Sequence, residues 1–586
     1  MAQQKMIAQV PFRYYVSLLK TYLTPQRFKV ILLVLLLFVS IGLDILNPQL
    51  LGHFIDSVEN HMIILIPIAL LFIGLVIANQ IVTAFASYIS EDVSWQATNA
   101  LRADLALHCL NLDMSFHKAH TPGELIERVN GDIAMLANFF SRFVFYVLGR
   151  TLLLIGIIAL TFSVDWRVGL LLLAFALLIL VLLRPLQNIS VPRFRDARQA
   201  SAALASFFEE RLSSIEDIHS NGAQSYVMLA FSRLTRRILH TARLSNVTGR
   251  YFSSAIEIGL ALAVAAVLTL GAYLLHSGQM TLGAIYVTYY YTTLLTQSLY
   301  VITFQINQMQ SATASIQRIT ELYHTPNAII DGPDVPLPSG PLAISFDNAS
   351  FGYTPDKQVL HDLSFELPAG TTLGLLGRTG CGKTTLARLL YRAYDVQQGS
   401  VRIGGIDIRQ TTLETLRHRI GVVTQDVQLF HASIRDNLTF FDPSISDERL
   451  KQVICELNLS QWYASLPAGL DTIIAGGGVT LSSGEAQLLA FARVFLQNPD
   501  LVILDEASSR LDPVTEKLIE GAIDRLLAGR TGVVIAHHLA AVQSVNAIMI
   551  LEDGSICEYG DRDKLATDPT SRFSHLLQTG LAEVID

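Results

Sequence analysis

Six apolar spans, each near 20 residues and all ending before residue 305, limit this chain's fold more than any other feature. A bilayer's hydrocarbon core is about 30 Å thick, and a helix crosses it in roughly 20 residues. No water is available there to satisfy backbone polar groups, so each span must bond internally as a helix. The spans are placed at residues 30–50, 63–86, 143–162, 168–186, 252–275 and 282–304. Short loops, 53–61, 163–167 and 276–281, follow the first, third and fifth. Long polar segments, 87–142 and 187–250, follow the second and fourth. Their pattern predicts helices that continue the spans into the cytoplasm. Only 16% of the 586 residues are charged, well below the quarter usual in soluble proteins. The apolar excess stops near residue 305; past residue 340 the chain reads as a soluble α/β protein.

Lys and Arg placement sets orientation. Arg13, Lys20, Arg27 and Lys29 precede the first span. Arg193, Arg195, Arg198, Arg233, Arg236, Arg237 and Arg243 lie in the second long segment. Among the short loops Arg167 is the exception. Both termini and both long segments are therefore expected in the cytoplasm. Residues 10–27 mix aromatic, Leu and basic residues, as an interfacial helix does. The N-terminus lacks the pattern of a cleaved signal peptide. The net charge of -8 comes without a basic cluster, which argues against a nucleic-acid partner. Cys109, Cys381, Cys455 and Cys557 have no metal-site spacing and read as reduced cytosolic thiols.

Ionisable residues inside the spans are few, and each is a functional candidate because intramembrane charge is costly. Asp44, beside Asn47 and Pro48, is open to two readings: a substrate cavity or a structural hydrogen bond. Arg150 and Glu257 read as residues at the wet ends of their helices. Arg184 can snorkel to the interface. In the sixth span Tyr286, Tyr290, Thr293, Gln297, Tyr300 and Phe304 recur at helical spacing on one face. That face suits a cargo cavity; a polar helix–helix seam is the alternative.

Residues 312–340 end in NAIIDGPDVPLPSG and read as a linker. After it, the apolar strand 373–376 runs into GRTGCGKT, from Gly377 to Thr384, and then a helical pattern. Strand, glycine loop and helix together make a phosphate-binding P-loop. Its backbone N–H groups, along Gly377, Arg378, Thr379, Gly380, Cys381, Gly382, Lys383, Thr384 and Thr385, can cradle phosphate oxygens. Lys383 would bridge the β- and γ-phosphates and Thr384 would hold magnesium. A second apolar strand, 501–504, delivers Asp505 and Glu506: one carboxylate for the magnesium shell, the next to polarise water.

With these motifs in this order, the chain resembles an ATP-binding cassette (ABC) exporter of the half-transporter type over essentially its whole length. The resemblance implies ATP and Mg2+ as cofactors. It implies that Tyr353 in SFGY stacks on adenine. It implies that Gln425 in VVTQD senses the γ-phosphate, joins the metal site and couples to the membrane domain. His537 in VVIAHHL would be the switch histidine, and Ser509–Asp512 would carry the D-loop. LSSGE resembles the signature LSGGQ, whose Ser482, Ser483 and Gly484 would face ATP held by a partner subunit. SFHKAHTPGELIERVNGDI and residues 220–231 resemble the two cytoplasmic coupling segments.

Five departures stand out. Ser483 replaces glycine where backbone should approach closely. Glu485 replaces glutamine and sets a negative charge near an anion site, at a cost of roughly 1–2 kcal/mol. Arg510 replaces a small D-loop residue, and His538 an arginine. The stretch 475–480 also lacks the glutamate usual before the signature. The residues for this chain's own ATP (Lys383, Gln425, Asp505, Glu506 and His537) are complete, while those offered to a partner's ATP are altered.

The expected fold is an all-α polytopic membrane domain of six long helices followed by an α/β P-loop ATPase domain. The boundaries are 1–28 for an N-terminal segment, 29–311 for the membrane domain, 312–340 for the linker and 341–586 for the nucleotide domain. The expected function is ATP-driven export of an amphipathic drug, lipid or peptide across a bacterial plasma membrane. Glu506, His537, Lys383 and Gln425 would carry the catalysis. The expected partner is a different half-transporter with an intact signature. An importer, a homodimeric exporter and an ATP-gated channel are the alternatives.

Overall fold

The computed structural model describes residues 20–58, 62–142, 147–354, 356–474, 481–505, 513–536 and 542–579. It divides into two compact units. One holds the residues up to Leu110 together with Pro122–Thr325; the other holds Asn111–Thr121 together with Pro326–Asp586.

The first unit is helical. Its long members are α1 (Arg27–Ser57) and α2 (Met62–Asn111). After the short α3 (Met114–Ala119), which belongs to the second unit, come α4 (Gly149–Val164), α5 (Trp166–Ser213), α6 (Ile215–Ser220), α7 (Gln224–His276) and α8 (Leu282–Tyr323). Each expected span falls on a helix, although residues 143–146 of the third lie outside the described residues. Most of the expected interfacial helix, residues 10–19, also lies outside them. At 1.5 Å per residue the 50 residues of α2 reach about 75 Å, far more than a bilayer core. The 48 residues of α5 and 53 of α7 likewise outrun it. The helix of the sixth span runs on to Tyr323, through residues 312–323.

Local chemistry sets the turns. The Asp165 carboxylate accepts from the Arg167 N–H and caps α5, and the Thr281 hydroxyl accepts from Ala284 N–H and caps α8. The core joins Leu153, Ile157, Leu172, Val267, Tyr291 and Leu295. Tyr291 is fully buried. Its hydroxyl donates to the Ile45 carbonyl at 2.9 Å and accepts from Gln49 Nε2 at 3.1 Å, tying α8 to α1. Asp44 accepts from Asn79 Nδ2 at 2.7 Å, and Asn79 Oδ1 accepts from Ser40 Oγ at 3.2 Å, which ties α1 to α2. That bond matches the structural reading of Asp44. Tyr290, Gln297 and Tyr300 are exposed, Tyr286 and Thr293 half-buried. Thr288, Thr292 and Thr296, on the opposite face, are buried and donate back to carbonyls one turn earlier. The side chains of Phe304 and Arg184 are outside the described set.

At the far ends of α1 and α8, backbones touch. A Cβ on Gly283 would collide with the Gly52 carbonyl and the Asp56 carboxylate. Asp56 accepts there from the Gly283 N–H at 2.7 Å and the Thr281 hydroxyl at 2.8 Å. Gly283→Ala is therefore expected to destabilise the solubilised protein by roughly 1–3 kcal/mol, as overpacking does. Gly42→Ala, with nothing within 4 Å of its Cβ, is the control. Equal melting temperatures for the two variants would refute the close crossing.

The second unit has two sheets. An antiparallel one has the order β2-β1-β4-β5, from β1 (Ile344–Phe351), β2 (Leu360–Leu367), β4 (Gln398–Ile403) and β5 (Ile406–Asp407). The other has the order β10-β9-β3-β8-β7-β6. Here β3 (Thr372–Leu376), β6 (Ile420–Val423), β7 (Leu501–Asp505), β8 (Thr531–Ile535) and β9 (Ala547–Glu552) run parallel, and β10 (Ser555–Asp561) is antiparallel to β9. Strands buried on both faces read as continuous apolar runs. In β7, Leu501 and Ile503 enter one core while Val502 and Leu504 enter the other, as the two-residue period requires. All four cysteines are free thiols.

Candidate functional site

Parallel strands deliver their C-terminal ends to one edge, where open α/β sheets bind ligands. Here Leu375 pairs with Ile535, Ile535 with Asp505, and Val423 with Leu504. The chain leaves β3 at Gly377, β7 at Asp505 and β6 just before Gln425, so the P-loop, the carboxylate and the glutamine share that edge. Gln425 is exposed and Asp505 half-buried. Glu506 and His537, with residues 475–480, Ser508–Asp512 and His538, lie outside the described residues.

The P-loop takes its shape from glycines. Gly377, Gly380 and Gly382 have φ of 147°, 87° and 107°, backbone that side chains disfavour. A Cβ on Gly377 would meet the Leu551 carbonyl, and one on Gly382 would lie 2.6 Å from Leu360 Cδ2. The loop opens helix α9 (Lys383–Leu390). Lys383 is buried, with Nζ donating to the carbonyls of Gly377 at 2.5 Å and Arg378 at 3.1 Å. Its ammonium thus sits inside the curl of the loop. Arg378, Thr379, Gly380 and Thr384 are exposed; Cys381 and Thr385 are buried. Burial raises the Cys381 thiol above its ordinary pKa, with Lys383 opposing. A hydroxyl at Thr384 and a carboxylate at Asp505 are hard oxygen donors of the kind magnesium prefers, with phosphate oxygens filling the rest of its shell.

Tyr353 follows β1 and is held from several sides. Its hydroxyl lies 3.1 Å from Thr385 Oγ1 and accepts from Arg388 Nη1 at 2.9 Å. Phe351 and Tyr394 stand nearly perpendicular to its ring, each 5.2 Å away. The Lys118 ammonium of α3 lies over the ring, 3.6 Å from its centroid. No spacing rule in the sequence marks Lys118, Thr385 or Arg388 as neighbours of this ring. The start of α3 is pinned by Asp113, which accepts from the N–H groups of Ser115 and Phe116 and, with its other oxygen, from Ala328 at 2.7 Å. Burial works against ionising Asp113, but these N–H donors outweigh it and hold the carboxyl below its usual range.

The signature opens α10 (Ser483–Gln497) with a capping box. Ser482 Oγ accepts from the Glu485 N–H at 3.2 Å, and Glu485 Oε2 accepts from the Ser482 N–H at 2.7 Å. A carboxylate thus sits on the positive end of the helix. Ser482 keeps its own O–H proton to donate. Ser483 is exposed and Gly484 buried. Farther along α10, Arg493 donates to the carbonyls of Asn437 and Gln428 at 2.6 and 3.0 Å, which links the signature helix to the segment after Gln425. Burial lowers Arg493 to about 10, so it stays charged at neutral pH.

Spanning helices fused to a P-loop sheet define a membrane-embedded nucleotide-driven machine. The comparisons name its family. Residues 30–299 match the ABC transporter transmembrane region and residues 360–509 the ABC transporter family. The "Uncharacterized ABC transporter ATP-binding protein YfiC" of Bacillus subtilis (strain 168) is 28% identical over 93% of this chain and 91% of that protein. A "Fatty acid ABC transporter ATP-binding/permease protein" of Mycobacterium bovis is 30% identical over 79% of this chain and 74% of that protein. A bacterial Atm1-family ABC exporter with ATP bound shares the fold, with a TM-score of 0.81 at 24% identity over 94% of this chain and 98% of that one. The chain belongs to the ABC transporter family and has the architecture of an exporter-type half-transporter. It is a multi-pass membrane protein whose ATP hydrolysis is coupled to transport.

Proposed function

We propose that this chain is the catalytically competent half of a heterodimeric exporter for an amphipathic cargo. The observation that carries the asymmetry is the contrast between its two ATP-facing surfaces. The P-loop edge presents Lys383, Thr384, Asp505 and Gln425 together, whereas at the signature's helix N-terminus the Glu485 carboxylate folds back onto the Ser482 N–H and brings a negative charge to the anion-facing end.

In this reading, Tyr353 orients the base, the loop from Gly377 to Thr385 wraps the phosphates, and Lys383 offsets their charge. Thr384, Asp505 and Gln425 would hold magnesium, which shields the phosphates when bound. Glu506 takes the proton of the attacking water, and His537 holds the γ-phosphate. The partner supplies an intact signature to this site, and Ser482, Ser483 and Gly484 offer the weaker clamp to the partner's ATP. Closure of the paired nucleotide domains, residues 341–586 here, turns the cavity of the membrane domain, residues 29–311, outward. The linker, residues 312–340, joins the two. The exposed Tyr290, Gln297 and Tyr300 give that cavity aromatic and hydrogen-bonding contacts. An amphipathic cargo is supported by this face and by the relative whose name specifies fatty acid. The reading sets both termini in the cytoplasm, under a bacterial plasma membrane.

The following measurements test it. Restoring the signature, with Ser483→Gly and Glu485→Gln together, is expected to change turnover of the assembled pair far less than Glu506→Gln does, because the hydrolysing site uses the partner's signature. Vigorous transport-coupled ATPase activity from the purified chain alone would end the heterodimer reading. ATP-dependent uptake of labelled lipid or drug into inside-out vesicles is the expected sign of export. Efflux from them would indicate import, and ion conductance a channel.

A further inference from the structure

We propose that Lys118 and adenine compete for the same face of Tyr353, so that base binding releases the side chain through which the C-terminal end of α3 holds that ring. This rests on Tyr353 being the adenine platform of the proposed site. At 3.6 Å from the ring centroid, the Lys118 ammonium fills the layer that a stacked base would occupy. The ring cannot step aside. Its hydroxyl is fixed by Thr385 and Arg388, and the buried rings of Phe351 and Tyr394 wall it in. Lys118 can move, because it is exposed and ends a flexible four-carbon stem.

The rest of α3 is arranged to stay when Lys118 leaves. Asp113 fastens its first turn to Ala328, and Asn327 Nδ2 donates to the Asn111 carbonyl at 2.9 Å. Phe116 is buried and stacks on His120 with centroids 4.3 Å apart. Displacement would therefore loosen the C-terminal end of α3 while its start remains anchored. Coupling of this kind is reciprocal: what the base costs Lys118, Lys118 costs the base.

The test uses the full-length protein in nanodiscs without divalent cations, with ATP and inorganic tripolyphosphate as probes. An exposed cation–π contact is worth about 0.5–1 kcal/mol, or roughly two- to fivefold in an equilibrium constant. Lys118→Ala is thus expected to tighten ATP by about that factor and to leave tripolyphosphate unchanged. In a Tyr353→Ala background, Lys118→Ala is expected to have no effect. Amides of His117–His120 are expected to exchange faster with ATP bound than with tripolyphosphate bound. Unchanged or weaker ATP binding by Lys118→Ala, or an equal shift for tripolyphosphate, overturns the competition. If Tyr353→Ala weakens ATP while Lys118→Ala does not tighten it, only the competition fails. If Tyr353→Ala leaves ATP binding unchanged, the adenine platform fails and the competition fails with it.

Discussion

Glu506→Gln is expected to stop turnover while ATP stays bound. The amide keeps the shape of the carboxylate and loses its ability to take a proton. General-base removal costs roughly 10²–10⁴ in rate. Glu506 lies one residue beyond Asp505, at the end of a strand whose four preceding residues are fully buried. The strand's own burial does not involve the Glu506 side chain, and a near-isosteric change should leave the fold intact. The measurement is phosphate release by the chain with its partner, beside binding of a fluorescent ATP analogue. Turnover within tenfold of the unmodified pair would remove Glu506 from the role of base.

Lys383→Ala is expected to fail at the earlier step, binding. The ammonium is buried in the loop and held by two carbonyls. Hydrogen bonds to charged groups contribute about 1.5–3 kcal/mol each, so losing two phosphate contacts costs roughly 3–6 kcal/mol. At 1.4 kcal/mol per decade, that is about 10²–10⁴ in ATP affinity. Arginine should not rescue, because its planar fork is wider than a point charge. ATP affinity within tenfold of the unmodified chain would refute the assignment. The two variants separate cleanly: one binds without turning over, the other hardly binds.

The architecture was legible in the chain because its signals are strong and local. A 20-residue apolar run has one stable form in lipid, and GRTGCGKT between a strand and a helix has few uses besides phosphate. The cytoplasmic ends of α2, α5 and α7 were less legible, since amphipathic helix outside the bilayer carries no sharp signal at Asn111, at Ser213 or at Gln224, where α7 begins. For Asp44, the sequence supplied two readings and geometry supplied the partner, Asn79, which lies 35 positions away. Glu485 was legible as a charge but not as a cap, because capping depends on whether its carboxylate turns back to Ser482. Lys118 was not legible at all. Its meeting with Tyr353 spans more than two hundred positions and depends on where α3 and the bend after β1 come to rest.

The placement of Asn111–Thr121 within the nucleotide unit has a consequence for biosynthesis. That piece leaves the ribosome 215 residues ahead of the Ala328 that its Asp113 will grasp. It must wait, unpaired, while four more spans are threaded into the bilayer. Domains tend to fold in the order they are made, but here the last one is finished with a part supplied early. A fragment cut to begin after the membrane region would emerge without that part, its Tyr353 uncovered and its Ala328 N–H unmet. Quality control that senses such unfinished surfaces would thereby also be testing whether the spans went in correctly.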